Sequence, residues 1–299
     1  MHKQKHRSLV LALAAALVVA VAGCSGLTPE PSNPTNPPQG SSGSLQQQLA
    51  SQYDAAAPVE GGYVVLSARQ NGTRQVSYLV VNEGKTLVAV GAPQVVEDAD
   101  GQASLQITDG MVVVQTAKNK APQFAAFKIG TEGLEPVDYY AAIAPEPAVK
   151  EGPFLLVNKY LNVLWHYEDG RLVKAYRVAT GRQTEGPAPT WEDYRTNFFT
   201  PEGTFQVTSF VLNPAYGGLK PGDQSYAGGA PCNPLGTRWM GFSVLEGDGA
   251  GIWGIHGTSE PETIGTWVSD GCIRLKTEQA EELYALIVGR NPTLQIVGR

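Results

Sequence analysis

A thiol that serves as a nucleophile needs a neighbour to take its proton, and this chain offers few of either kind: three cysteines and four histidines in 299 residues. The stretch VSDGCIRL, Val268 to Leu275, sets Cys272 between a glycine and an arginine. Near neutral pH a free thiol is only a few per cent ionised, so Cys272 would need a base or a cation beside it, and imidazole is the usual base. His2 and His6 fall in a segment read below as a removable signal, which leaves His166 and His256. His166 lies in VLWHYEDG between Trp165 and Tyr167, within a predicted hairpin strand, where a satisfied or surface histidine is expected. His256 lies in WGIHGTSE, at the end of an apolar run and sixteen residues ahead of Cys272. A strand-end histidine and a loop cysteine can meet at that separation.

Around Cys272, the residues Ser269, Asp270 and Gly271 predict a tight polar turn. Gly271 would let the backbone approach a substrate closely, and the amides of Gly271 and Cys272 could hold a developing oxyanion. Arg274 is always charged; it could fix a substrate carboxylate, or it could brace the turn. Cys232, in GAPCNPLG, could border the same pocket and form a disulfide with Cys272, which would make the protein a non-catalytic structural lipoprotein. Two histidines and two cysteines supply no closed zinc set, so no metal and no organic cofactor is expected.

The elements that must position these residues read as mainly β. Gly and Pro are abundant, 34 and 21, and short apolar runs alternate with turn signals. Residues 46–150 predict a β-rich N-terminal domain: YVVLSARQNGTRQVSYLVV, KTLVAVG, ASLQIT and MVVVQTA are strands of a small antiparallel unit. Asn71-Gly72 marks a type I′ hairpin, because both of its central positions need positive φ. EDADG (Glu97 to Gly101) is expected to be a solvated turn, and a few propeller-like blades remain conceivable. Before them, LQQQLASQYDAA predicts one or two helical turns. Residues 151–299 predict a second β-rich domain, with a hairpin at Glu168-Asp169-Gly170, a strand after Pro201 and Gly203, and a long loop from Asn213 to Asn233 carrying Tyr216 and Tyr226. One convincing helix, KTEQAEELYALIVGRN, is expected to be capped by Thr277, to share an apolar face of Leu283, Leu286 and Ile287, and to end at Gly289 and Pro292.

At the other end, Lys3, Lys5 and Arg7 precede LVLALAAALVVAVAG, an uninterrupted apolar run too short to span a bilayer comfortably. This predicts an export signal over residues 1–23. Loss of those three cations takes Lys and Arg from 22 to 19 against 28 Asp and Glu, formally −9, which argues against a nucleic-acid partner. Residues 24–45, SGLTPEPSNPTNPPQGSSGS at their heart, cannot bury enough apolar surface to fold and predict a tether.

Two of these patterns resemble known families. VAGC, Val21 to Cys24, resembles the bacterial lipobox, which implies lipidation of Cys24 and anchoring of an exported protein to the bacterial membrane, facing the cell wall. HGT, Gly265 and SDGCIRL together resemble the catalytic signature of the YkuD-type L,D-transpeptidases, and TPEGTF and NPLGTRWMGF (Asn233 to Phe242) follow that family's order. The resemblance covers roughly Gly152 to Arg299 and leaves residues 62–147 unexplained. It implies a YkuD-like β-sandwich in which Cys272 accepts the acyl group, His256 is its base and the carbonyl of Gly257 orients the imidazole. Ser269, Gly271, Arg274, Thr258 and Trp239 would form the oxyanion and substrate surroundings. The implied substrate is the peptidoglycan stem peptide, cross-linked through a cysteine thioester or, with water as acceptor, trimmed by L,D-carboxypeptidase action. Susceptibility to carbapenems, which acylate the family's cysteine, comes with it. Asp270 stands where many relatives carry a second histidine, and it is expected to pair with Arg274 so that it does not oppose thiolate formation. A papain-like peptidase is disfavoured, because there the cysteine precedes the histidine. For the N-terminal domain, a spacer or partner-binding module is expected.

Overall fold

A computed structural model describes residues 45–82, 86–182, 199–217, 224–243 and 253–298. The expected signal, Cys24 and the tether as far as residue 44 lie outside them. The protein is mainly β, as expected, with an antiparallel β region preceding the larger sheet.

Helix α1 (Leu45–Gln52) leads into a four-stranded meander of β1 (Ala55–Val59), β2 (Gly62–Leu66), β3 (Thr73–Asn82) and β4 (Thr86–Glu97). A second meander follows: β5 (Ser104–Thr108), β6 (Met111–Lys118), β7 (Ala121–Gly130) and β8 (Gly133–Val137). The Asn71-Gly72 turn has φ of 50° and 79°, the left-handed pair that the dipeptide predicts. Instead of separate blades, the two sheets share one core, in which Val64, Leu66, Val76 and Val96 meet Leu105, Val112, Val114 and Phe127. EDADG corrects a second expectation. Asp98 is fully buried and ion-pairs with Arg74 at 2.6 Å, so this turn is anchored to the core, and Arg74 also reaches Asp54.

Short helix α2 (Tyr139–Ala142), capped by the Asp138 carboxylate on the Ala141 amide, connects to the larger sheet. That sheet contains β9 (Pro153–Asn158), β10 (Val163–Glu168), β11 (Arg171–Arg177), β13 (Gly203–Leu212), β14 (Arg238–Ser243), β15 (Trp253–His256), β17 (Ile273–Arg274) and β18 (Thr293–Val297). Its spatial order is β11-β10-β9-β18-β13-β14-β15-β17, with β12 (Thr180–Gly181) and β16 (Trp267–Ser269) pairing separately in parallel. The final strand thus lies in the middle of the sheet, parallel to β9.

Alternating residues of β9 and β10 enter two different cores, which is why both strands read as continuous apolar runs. Leu155, Val157 and Leu164 join the core covered by helix α3 (Thr277–Ile287), through Ala280, Leu283 and Ile287. Phe154, Leu156, Val163, Trp165 and Tyr167 face the opposite way, against Tyr139 and Tyr140 of α2 and Phe124 of β7. The N-terminal β region is therefore packed onto the larger sheet. Two helix details differ from expectation: Leu286 is exposed, and the residue before α3 is Lys276 with no side-chain cap, because the Thr277 hydroxyl turns to Thr258.

Candidate active site

Strands β15 and β17 run parallel and hydrogen-bonded, with Ile255 opposite Ile273 and His256 opposite Arg274. One residue before β17, Cys272 falls opposite Gly254. Since side chains alternate between faces along a strand, Cys272 and Arg274 share the face of His256, with thiol and imidazole on the diagonal. On the other flank, Trp239 of β14 is the register partner of His256, and its indole stacks on the imidazole with ring centres 5.7 Å apart and planes 16° apart. Glycines make room for that indole: a Cβ at Gly254 would lie 2.6 Å from its ring carbons, and one at Gly241 2.7 Å from Nε1.

The imidazole is fixed in orientation and in tautomer. His256 Nδ1 lies 2.6 Å from the Gly257 carbonyl oxygen; a carbonyl only accepts, so Nδ1 carries the proton and Nε2 is left with its lone pair. The backbone behind it is clamped. The Thr277 hydroxyl donates to the Thr258 carbonyl at 3.0 Å and accepts from the Thr258 amide at 3.3 Å, while Gly236 packs against Gly257 so closely that a Cβ would meet its Cα at 2.9 Å. Thr258 Oγ1 itself accepts from the Glu260 amide at 3.0 Å and so shapes the turn after the histidine.

On the cysteine side, Ser269 is buried; its hydroxyl donates to the Cys272 carbonyl at 2.5 Å and accepts from the Gly271 amide at 3.2 Å. The predicted tight turn is present, but the Gly271 amide is engaged within it, whereas the sequence reading had it free for an oxyanion. Gly271 has φ of +105°, and a Cβ there would meet the Trp253 indole nitrogen at 2.8 Å, so only glycine fits. Replacing Ser269 by alanine removes both turn bonds and leaves buried backbone groups short of a partner. A loss of stability on the order of 1 to 2 kcal/mol is expected, measurable as a fall in the thermal midpoint.

Arg274 does not pair with Asp270. Its guanidinium meets the Glu260 carboxylate at 3.2 Å while Asp270 is exposed, so the bracing role left open in the sequence is the one occupied. Glu260 and Thr277 carry no motif that would have flagged them. His166 is fully buried and holds Glu168 at 3.0 Å, a structural contact far along the sheet. Cys232 is exposed and is not joined to Cys272, so the structural disulfide is not formed. The rings of Tyr216 and Tyr226 face each other 6.2 Å apart across a two-residue bridge in the long loop, whose residues 218–223 lie outside the described set. Among the described residues, no group of three His, Cys, Asp or Glu could hold a metal ion.

The electrostatics favour a neutral resting pair. Burial lowers the His256 imidazole to about 4, helped by the Arg274 charge and opposed by the bond to Gly257. Burial also pushes the Cys272 thiol up to about 11 with a small contribution from Asp270, against a backbone hydrogen bond with Gly254 and the charge of Arg274. A thiol and a neutral imidazole on one face, with a fixed cation beside them, can transfer a proton as the sulfur attacks a carbonyl.

Residues 152–294 match the family described as YkuD, L,D-transpeptidase catalytic domain. Among curated proteins, the chain is 38% identical over 135 residues to "Putative L,D-transpeptidase YqjB" of Bacillus subtilis, covering 45% of this chain and 66% of that one. It is 31% identical over 121 residues to "Putative L,D-transpeptidase YkuD" of Bacillus licheniformis, covering 40% and 52%. The chain thus spans just under two thirds of the first relative and about half of the second. Among solved structures, the catalytic domain of an E. faecium L,D-transpeptidase acylated by ertapenem aligns at 20% identity and TM-score 0.35, covering 50% of this chain and all of that domain.

Proposed function

Because residues 152–294 belong to the YkuD family of L,D-transpeptidase catalytic domains, we propose that this protein is a peptidoglycan L,D-transpeptidase working through a Cys272 thioester. The observation that carries the mechanism is the fixed tautomer of His256, whose Nε2 lone pair stands on the face shared with Cys272. Sγ attacks the carbonyl of the third, diamino-acid residue of a stem peptide, and the thiol proton passes to Nε2. The tetrahedral intermediate collapses, the imidazolium gives that proton to the departing amine of D-alanine, and a thioester remains. An amine of a second stem attacks the thioester, His256 takes the proton of that amine, and the thiol is restored as the peptide bond forms. The Arg274 charge lowers the pKa of both groups, which favours the transient thiolate and keeps the resting imidazole neutral.

In the same reading, residues 1–23 direct export, Cys24 carries the lipid that anchors the protein to the bacterial membrane, and residues 24–45 tether a β-rich region (46–150) and the enzyme domain (151–299) toward the wall. Incubation of the protein with a disaccharide-tetrapeptide tests the proposal. Cross-linked dimer with released D-alanine is expected; tripeptide alone would make water the acceptor and the enzyme a carboxypeptidase; unchanged tetrapeptide would refute the acyl-transfer reading.

A further inference from the structure

Between His256 and Cys272 the chain passes through residues 257–271, and the middle of this connection is held by the N-terminal β region. Lys118, at the end of β6, donates from Nζ to the Glu262 carbonyl at 2.6 Å. Gln123, in β7, donates from Nε2 to the Gly265 carbonyl at 2.8 Å, and its Oε1 accepts from Arg177 Nη2 at 2.7 Å. Arg177 in turn lies over the Tyr140 ring, 4.3 Å from guanidinium carbon to ring centre. Gln123 and Arg177, distant in sequence, therefore converge on one glycine.

Gly265 is shaped for that convergence. Its φ is +90°, its amide donates to the Val178 carbonyl at 2.9 Å, and a Cβ would fall 2.3 Å from Arg177 Nη2 and 2.9 Å from Gln123 Oε1. From Gly265 the path to the reacting groups is short in both directions. Toward Cys272, Thr266 is fully buried and its carbonyl accepts from the Thr180 amide; β16 then pairs with β12 up to Ser269, whose hydroxyl holds the Cys272 carbonyl. Toward His256, the 3-10 turn Pro261–Thr263 is closed by Thr263 bonds to Glu260, the residue that pairs with Arg274.

We propose that Gln123 and Lys118 are positioning residues for the acyl-transfer site: the N-terminal β region sets the His256–Cys272 connection and with it the attack geometry of the thiol. The region is part of the working scaffold, which goes beyond the spacer or partner-binding role expected from sequence. This inference rests on the proposed acyl-transfer function. Neither residue touches substrate. Their effect travels through the backbone of residues 260–266, and small displacements of a reacting group cost large factors in rate, up to about a hundredfold for ~1 Å.

The test uses the full-length protein in detergent and four substitutions: Gln123→Ala, Gln123→Glu, Lys118→Ala and Lys118→Arg. Gln123→Glu keeps an acceptor for Arg177 but loses the donor to the Gly265 carbonyl and sets a negative charge against it. The rate of covalent imipenem addition is read by intact mass, kcat and KM with a tetrapeptide donor are measured separately, and the thermal midpoint is recorded for each. Gln123→Ala and Gln123→Glu are expected to lower the acylation rate and kcat by about tenfold with KM little changed. Lys118→Ala is expected to show a smaller loss, which Lys118→Arg restores by keeping a donor. Wild-type acylation and kcat in both Gln123 variants would overturn the inference, including the case in which only the thermal midpoint falls. Should Gln123→Ala fail to fold, Gln123→Glu, with its Arg177 contact kept, decides the matter. If the unsubstituted protein neither reacts with imipenem nor turns over tetrapeptide, the acyl-transfer reading itself has failed, a result distinct from equal rates in the wild type and the variants.

Discussion

Replacing Cys272 by alanine is expected to lower tetrapeptide turnover by on the order of 10⁴-fold or more, to background in an ordinary assay, because no other group on the β15–β17 face can form the thioester. The side chain removed is small and sits at the strand entry, outside the large apolar cores, so the fold should survive with a thermal midpoint within a few degrees of wild type. Retention of Trp239 stacking and of the Ser269 bond to the backbone carbonyl of residue 272 is expected, since neither involves the sulfur. Turnover by the alanine variant within tenfold of wild type would move the nucleophile elsewhere.

The second large effect concerns His256. Glutamine there keeps a polar side chain against Gly257 but offers no basic nitrogen to the thiol. A loss of about 10² to 10⁴-fold in kcat/KM is expected, with KM less affected. The pH dependence carries a sharper signature. His256 acts as base only when neutral, and burial together with Arg274 holds its pKa near 4 in place of the ordinary 6.5. Activity should therefore persist as pH falls through 6.5 and be lost only around pH 4; an acid limb centred near 6.5 would contradict the dry imidazole. Stability follows the same sign. An imidazole depressed in the folded state stabilises the protein fully above pH 6.5, and that contribution, about 3 kcal/mol at most for His256, is lost progressively between pH 6.5 and 4 as the unfolded state takes up the proton. His166, also lowered by burial, pushes in the same direction. The fall in thermal midpoint over that window should be smaller in His256→Gln than in wild type.

Local signals in the sequence carried much of the fold class. Asn71-Gly72 and Asp169-Gly170 marked hairpins because positive φ is a property of the dipeptide itself, and both turns have it. The adjacency of His256 and Cys272 was legible for a related reason, since each stands at the edge of a short strand and sixteen residues suffice to bring parallel strands together. What escaped depends on partners distant in the chain. Asp98 read as a solvated turn residue because nothing nearby predicts Arg74 on a neighbouring strand. Arg274 was assigned to Asp270, four residues away, but the turn points Asp270 outward and a loop carboxylate, Glu260, is the one in reach. Thr277 read as a helix cap because caps are recognised by position, yet its hydroxyl serves the backbone after His256. The Gln123–Gly265 bond spans 142 positions and joins two regions that share no pattern, so it was visible only in three dimensions.

The central claim is that Cys272 is an acylated nucleophile, and the measurement that tests it most directly is the intact mass of the wild-type and Cys272→Ala proteins after incubation with imipenem, followed by peptide mapping. The account predicts one adduct per wild-type chain, on the peptide containing Cys272, and none on the alanine variant. An unmodified wild-type protein whose thiols are shown to be reduced, or an adduct that survives the substitution, would contradict it.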